Sequence, residues 1–257
     1  MNRLIRWALP VIAALSLAGA TYAAGVKPGR ARIRLFNGKD LTGFYSFLRS
    51  KGKNNDPDRV FSVVDGAIRA SGEEFGYVAT VDEYENFRLT AEFRWGEKTF
   101  APRVANARDS GILFHMIGPD KVWPHSIEFQ IIEGGTGDVL MVDGASMAYE
   151  AALGPRLASK DVLSPDGKRI VKGRVNWAKR APAWKDVLGF HGPDDIEKPT
   201  GQWNVLELVC HGDAFTYKVN GVLVVEGKGA SPTKGRLVFQ SEGAEIFFRR
   251  LELSPLR

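Results

Sequence analysis

The alternation between Phe87 and Trp95 constrains this chain more than any other feature. Phe87, Leu89, Ala91, Phe93 and Trp95 fall on one side of an extended backbone, and Arg88, Thr90, Glu92 and Arg94 fall on the other. Such a strand is half-buried, so it needs flanking strands to hydrogen-bond with and a second layer to cover its apolar face. Shorter units repeat the theme. Residues 60–64 and 67–70 flank Asp65 and Gly66, a pair that tolerates the positive φ of a tight turn, and this predicts a hairpin. Residues 138–142 and 146–149 around Asp143 and Gly144 predict a second hairpin. Residues 204–210, 215–219 and 222–226, joined by Gly212-Asp213 and Asn220-Gly221, read as a meander, and residues 236–240 and 245–253 complete the sheet system. No helical periodicity runs beyond a few turns and no fixed-period repeat is present, so the expected class is an all-β antiparallel β-sandwich.

With 257 residues and 44% hydrophobic content, the chain can bury one good core, expected as a single domain over residues 33–257. The first residues read as a secretory signal: Arg3 and Arg6 precede an apolar run over residues 8–20, and Thr21, Tyr22 and Ala23 offer small residues for cleavage before Ala24. Residues 24–32 then form a basic leader. The expected location is periplasmic or secreted. The apolar run is short for a membrane span, and no later stretch approaches one. Cys210 is the single cysteine, which excludes an intramolecular disulfide and a lipid-anchoring cysteine after the signal; within VLELVC it reads as a small buried hydrophobe. Loss of Arg3 and Arg6 with the signal lowers the formal charge from +5 to +3, too mild to imply nucleic acid, and no nucleic-acid motif is present.

Residues 109–133, DSGILFHMIGPDKVWPHSIEFQIIE, hold two apolar strand-like runs interrupted by polar residues that a plain core strand would not need. Alternation puts Ser126, Glu128 and Gln130 on one face and Ile127, Phe129 and Ile131 on the other. The same parity groups Leu113 with His115, so pairing of the two runs is expected to bring His115 beside Glu128. His115, Glu128 and Glu242 together offer imidazole and carboxylate donors that suit a divalent cation, although no tight ligand spacing supports a metal. His125 and His211 read as strand-end residues, and Trp203 with Asn204 as packing or a sugar platform. Residues 154–201 are long, polar and irregular, with Trp177, Trp184, Phe190 and His191 among many Lys, Arg and Pro; they are either a surface excursion pinned by tryptophans or a lid over a ligand.

From Leu35 onward, the ordered motifs LFNGKDLTGF, VVDGAIRASG, YENFRLTAEFRW, DSGILFH, SIEFQIIE, KPTGQWN, VNGVLV and LVFQSEGAEIFFRRLELSPL resemble the 3-keto-disaccharide hydrolase domain family. The resemblance implies a concanavalin- or laminarinase-like jelly roll that recognises a 3-oxo sugar on its concave sheet and cleaves its glycosidic bond. The run from Glu128 to Glu133 also resembles the ExDxxE signature of laminarinase-type β-glucanases, with Gln130 in place of the central Asp. Plain alternation puts Glu128 and Glu133 on opposite faces, and only a bulge between them would align both.

An ordinary glycosidase needs two carboxyl groups flanking the bond. A 3-oxo sugar offers another route, because its ketone acidifies the hydrogen on C2: a base removes it, the C1 substituent leaves, and water adds back. On this reading Glu128 is the base, His115 and Gln130 contact oxo or hydroxyl groups, and Glu133 or Glu242 is the acid. Asp109, Ser126, Trp123 and Gln240 are further candidate sugar contacts. The alternative is a non-catalytic carbohydrate-binding module of the same fold.

Overall fold

The computed structural model describes residues 32–149, 156–157 and 163–256; the expected signal, most of the basic leader and part of the long polar segment lie outside them. Among the described residues there are strands and turns and no helix long and apolar enough to cross a membrane.

Two large antiparallel sheets face each other. The first runs β17 (Val222–Gly227), β16 (Ala214–Val219), β15 (Asn204–His211), β7 (Phe87–Thr99), β19 (Ala244–Ser254), β5 (Ala67–Ala70) and β4 (Phe61–Val64), with β1 (Ile33–Arg34) also paired to β19. The second runs β12 (Arg156–Leu157), β14 (Gly173–Asn176), β10 (Val139–Val142), β9 (Ser126–Ile132), β8 (Asp109–Met116), β18 (Arg236–Ser241), β6 (Gly76–Thr80), β2 (Phe44–Leu48) and β3 (Gly52–Lys53). A short ribbon pairs β11 (Met147–Ala148) with β13 (Arg169–Ile170). This is the jelly-roll sandwich that the sequence implies.

Alternation explains which side chains fill the space between the sheets. β7 delivers Phe87, Leu89, Ala91, Phe93 and Trp95 inward, and β9 delivers Ile127, Phe129 and Ile131 from the facing layer. Phe129 stacks on Tyr217 with ring centroids 4.1 Å apart and planes 2° from parallel, and Phe239 meets Phe248 edge-on at 5.4 Å across the layers. Cys210 is buried in the same core, as its apolar surroundings suggest. The Asp65-Gly66 hairpin forms with both residues at positive φ, 49° and 73°, and so does the meander of β15, β16 and β17.

Two expectations are corrected. Asp143 and Gly144 make a turn, at φ 50° and 94°, but its flanks do not pair with each other: β10 lies between β9 and β14, while β11 pairs with β13. The long segment is also not wholly irregular. It supplies β13 and the sheet strand β14, whose Val175 points into the core and whose Arg174 points outward. Trp177 is buried and the Trp184 Nε1–H donates to the Glu133 carbonyl at 3.0 Å, so tryptophans pin the segment to the sandwich.

On its outer face the second sheet carries a smaller apolar cluster of Tyr45, Tyr77, Ala79, Leu113, Met116 and Val238. Over it folds the turn from Gly118, anchored by Asp120, whose Oδ1 accepts the Tyr45 and Tyr77 hydroxyls at 2.7 and 2.8 Å. That anchor fixes the loop that carries Trp123 towards the polar half of the same face.

Because Phe129 packs face to face on Tyr217 at the centre of the sandwich, Phe129→Ala should lower unfolding free energy in urea by about 3–5 kcal/mol. A loss under about 1 kcal/mol would contradict the packing described for this layer.

Candidate active site

β8 and β9 pair without a slip from Asp109↔Ile132 to Phe114↔Ile127, so Gly111 lies opposite Gln130 and Leu113 opposite Glu128. Glu128 and Gln130 therefore point away from the core, beside Asp109 of β8 and Gln240 of β18. Glu128, Gln130 and Asp109, with Trp123 and with Glu242, which follows β18, surround a cavity of about 690 Å³ whose other walls include Phe75, Arg103, Arg174 and Asp186; Gln240 is not in its wall. A Cβ at Gly111 would sit 2.3 Å from Gln240 Oε1 and 2.4 Å from Glu128 Oε1. The absent side chain is what lets those two groups meet above the strand.

Hydrogen bonds tie the floor into a network. Asp109 accepts from Arg103 Nη2 and from Gln130 Nε2, and Arg103 Nη1 also donates to Asp186 at 2.8 Å. Arg174 Nη2 donates to Gln130 Oε1 at 3.0 Å. Glu242 Oε1 accepts from Trp123 Nε1–H at 2.6 Å and from Gln240 Nε2 at 3.2 Å. Behind Arg174, the buried Asp138 lies 3.1 Å from Arg180 and 3.9 Å from Arg174.

Burial dominates the electrostatics. It pushes Asp109 up to about 6, against the pull of Arg103 and Arg174. It pushes Glu242 up to about 8, with Asp109 adding to the rise. Glu128 is raised well above the usual carboxylate range by burial and by the charges of Glu242 and Asp109. Three carboxyls with raised proton affinity on one cavity can hold, give or take protons, and two guanidinium groups can stabilise a developing anion.

Of the residues singled out in sequence, Glu128, Gln130, Asp109, Trp123, Gln240 and Glu242 come together. His115 does not. It has φ 56°, and His115 with Phe114 forms a bulge between Leu113↔Val238 and Met116↔Arg236. The extra residue reverses the parity: Met116 joins the outer apolar cluster, while the His115 ring turns into the core against Phe87 and Phe114. Its Nδ1 meets the Pro232 carbonyl at 3.0 Å, and burial pushes it down to about 4, so it is neutral. The donor set of His115, Glu128 and Glu242 proposed for a cation is therefore not assembled.

Glu133 is also elsewhere. No bulge interrupts β9, so Glu133 takes the parity opposite to Glu128, as plain alternation requires. It pairs with Arg108 and accepts the Gly189 N–H at 3.0 Å, beside a second cavity of about 610 Å³. There His191, Asp195 and Glu197 bring one ligand-type atom each within 4.8 Å of the others. Ser126 donates to the Pro124 carbonyl at 2.7 Å and is not part of the first cavity's wall. Trp203 packs under Arg94 and Arg249 on the outer face of the first sheet, and Asn204 is bound to Asn220 and Lys198.

Sequence reasoning missed Arg103, Arg174, Asp186 and Phe75. None sits in a patterned strand long enough to declare its direction; β14 has four residues in a segment that otherwise reads as irregular.

The fold is an antiparallel jelly-roll sandwich with an acid-lined cavity on the outer face of its second sheet. A model of the 3-keto-alpha-glucoside-1,2-lyase-like domain matches residues 31–254, and the chain belongs to that family. Among solved structures it is similar to two Parabacteroides distasonis proteins provisionally assigned as glycosyl hydrolases. One has 22% identity and a TM-score of 0.52, covering 88% of this chain and 94% of that one. The other has 21% identity and a TM-score of 0.50, covering 88% and 100%. The carbohydrate-binding module CBM66 of Bacillus subtilis aligns with a TM-score of 0.50 at 9% identity, over 82% of this chain and 96% of that one. At these identities the likeness is one of fold. No curated protein matched the sequence.

A carboxyl that binds its proton more tightly when folded stabilises the fold below its ordinary value. That contribution is lost as pH climbs from 4.5 to about 8 for Glu242. Glu242→Gln should accordingly raise the melting temperature above about pH 8, by a few degrees, and change it little near pH 5. Equal effects at both pH values would show that Glu242 is not buried as a proton-binding group.

Proposed function

We propose that this protein cleaves the glycosidic bond of 3-oxo glucosides by elimination across C1 and C2, followed by addition of water. The observation that carries the reading is the convergence of Asp109, Glu128 and Glu242, three buried carboxyls of raised proton affinity, on one cavity with Arg103 and Arg174. Family membership supports 3-oxo glucosides as the substrate class.

A ketone at C3 makes the C2 hydrogen acidic, so a single well-placed base suffices to remove it. As the C2–H electrons form the C1–C2 double bond, the C1–O bond breaks and the leaving oxygen takes a proton from an acid. Carboxyls whose hold on the proton is strengthened by burial suit both tasks, each typically worth about 10²- to 10⁴-fold. Negative charge that gathers on the C3 oxygen is offset by a guanidinium group at the cavity floor. Phe75 and Trp123, with ring centroids 6.2 Å apart, offer apolar faces to a sugar ring at the wall. A module that only held sugar would gain nothing from burying three carboxyls that cost solvation. The sequence of residues 1–23, read as a secretory signal, supports action in the periplasm or outside the cell.

NMR of the protein with a 3-oxo disaccharide and with its unoxidised parent, in heavy water, tests this. Only the oxo substrate should be consumed, with deuterium entering at C2. Cleavage of the parent would replace elimination with the two-carboxylate route, and line broadening without turnover would favour the binding module.

A further inference from the structure

Gln240 is wholly buried, yet its Oε1 has no hydrogen-bond donor among the described residues. A buried amide oxygen without a donor is costly, so the missing donor needs an identity. Two observations supply one. The Gln240 Oε1 and the Glu128 Oε1 are neighbours above Gly111, both closer than 2.5 Å to the point where a Cβ would lie. Two acceptor oxygens would repel there, whereas a protonated carboxyl can donate its O–H to the amide.

The other end of the amide is equally constrained. Gln240 Nε2 faces Glu242 Oε1 at 3.2 Å, and the same oxygen takes the Trp123 Nε1–H at 2.6 Å. An indole N–H can only donate. Trp123 therefore removes the symmetry of the arrangement. Glu242 is the carboxyl that accepts, the amide must turn its NH₂ towards it, and its oxygen is left facing Glu128.

Resting on the elimination reading above, we propose that Glu128 holds the proton and is the acid, that Glu242 is the base, and that Gln240 and Trp123 are the positioning residues that set this order. In its ionised form Glu242 takes the C2 proton, the C2–H electron pair becomes the C1–C2 double bond, and the C1–O pair leaves with the aglycone oxygen, which takes the proton of Glu128. The enzyme ends with the proton moved from Glu128 to Glu242 and exchanges it back through water. This reverses the assignment of Glu128 as base that its place on β9 alone suggests.

The charges around both groups agree with that order. Glu128 faces Asp109 from β8, Glu242 from the turn after β18 and Arg174 from β14, and the Tyr217 hydroxyl lies within its field from the facing sheet. Glu242 faces Asp109, Arg103, Arg174 and the Trp123 donor. Glu242 thus has one more guanidinium than Glu128, and it accepts from two donors, Trp123 and Gln240.

The test is carboxyl titration by carbon NMR of the full chain labelled at glutamate Cδ, with no substrate present. The strongly upshifted signals include that of Glu197, pushed up to about 8 by burial; of the two that the variants remove, the lower-titrating one should vanish in Glu242→Gln and the higher-titrating one in Glu128→Gln. Trp123→Phe, at a half-exposed site that tolerates the change, should raise the Glu242 titration by about one pH unit, narrowing the gap. The opposite order of disappearance, or a Glu242 titration unmoved in Trp123→Phe, would overturn the proposal. Since substrate plays no part, this outcome is independent of whether the oxo disaccharide is consumed.

Discussion

The register of β8 against β9 is the constraint on which the site depends. Pairing Gly111 with Gln130 and Leu113 with Glu128 places a residue without a side chain where Glu128 must lie over the neighbouring strand. β18 approaches the same glycine from its other side and brings Gln240. A slip of one residue would send Glu128 into a core of phenylalanine and isoleucine, where nothing could pair with it. The apolar parity of Ile127, Phe129 and Ile131 forbids that slip, so the packing of the sandwich enforces the chemistry of its outer face.

Buried carboxyls destabilise a fold unless charge or hydrogen bonds answer them. Here the answer reaches outward in layers. Arg103 holds Asp109 and is itself held by Asp186; Arg174 holds Gln130 and lies near Asp138, which Arg180 neutralises. Asp186, Arg174 and Arg180 all come from the long polar segment. Its tryptophans pin it, and its charges make part of the cavity. The pinning expected from the sequence is thus found, and Arg174 and Asp186 of the same segment line the cavity.

Much of this was legible before any coordinates. Strict alternation in Phe87–Trp95 and the Asp-Gly and Asn-Gly pairs gave the strands and most turns, because a half-buried strand has a period of two and tight turns require positive φ. The same parity put Ser126, Glu128 and Gln130 on one face and separated Glu133 from Glu128. It failed at His115, where one bulge residue inverts every later direction. No local pattern announces that bulge, for it depends on Gly235, just before the distant strand β18, which lets the β8 backbone approach; a Cβ there would lie 2.4 Å from the His115 carbonyl carbon. It failed again at Asp143-Gly144, where the turn chemistry was right but the partner of β10 came from another part of the chain. Arg103 and Arg174 were invisible for a related reason: charge on an irregular segment looks like solvated surface until a partner is known.

The place of Gln130 shows why this site differs from that of a two-carboxylate glucanase on a similar strand. In ExDxxE the acids come from one strand and need a bulge to share a face, but β9 runs straight and leaves Glu133 behind with Arg108. The second carboxyl is recruited instead from the end of β18, as Glu242. An Asp at position 130 would then add a fourth buried acid beside Asp109, Glu128 and Glu242 in a cavity whose lining cations are Arg103 and Arg174. Gln130 avoids that charge and uses both ends of its amide, donating to Asp109 and accepting from Arg174. A neutral residue at the centre of the motif is therefore the choice that lets three acids from three chain segments occupy one cavity, each with a different partner and so a different hold on its proton.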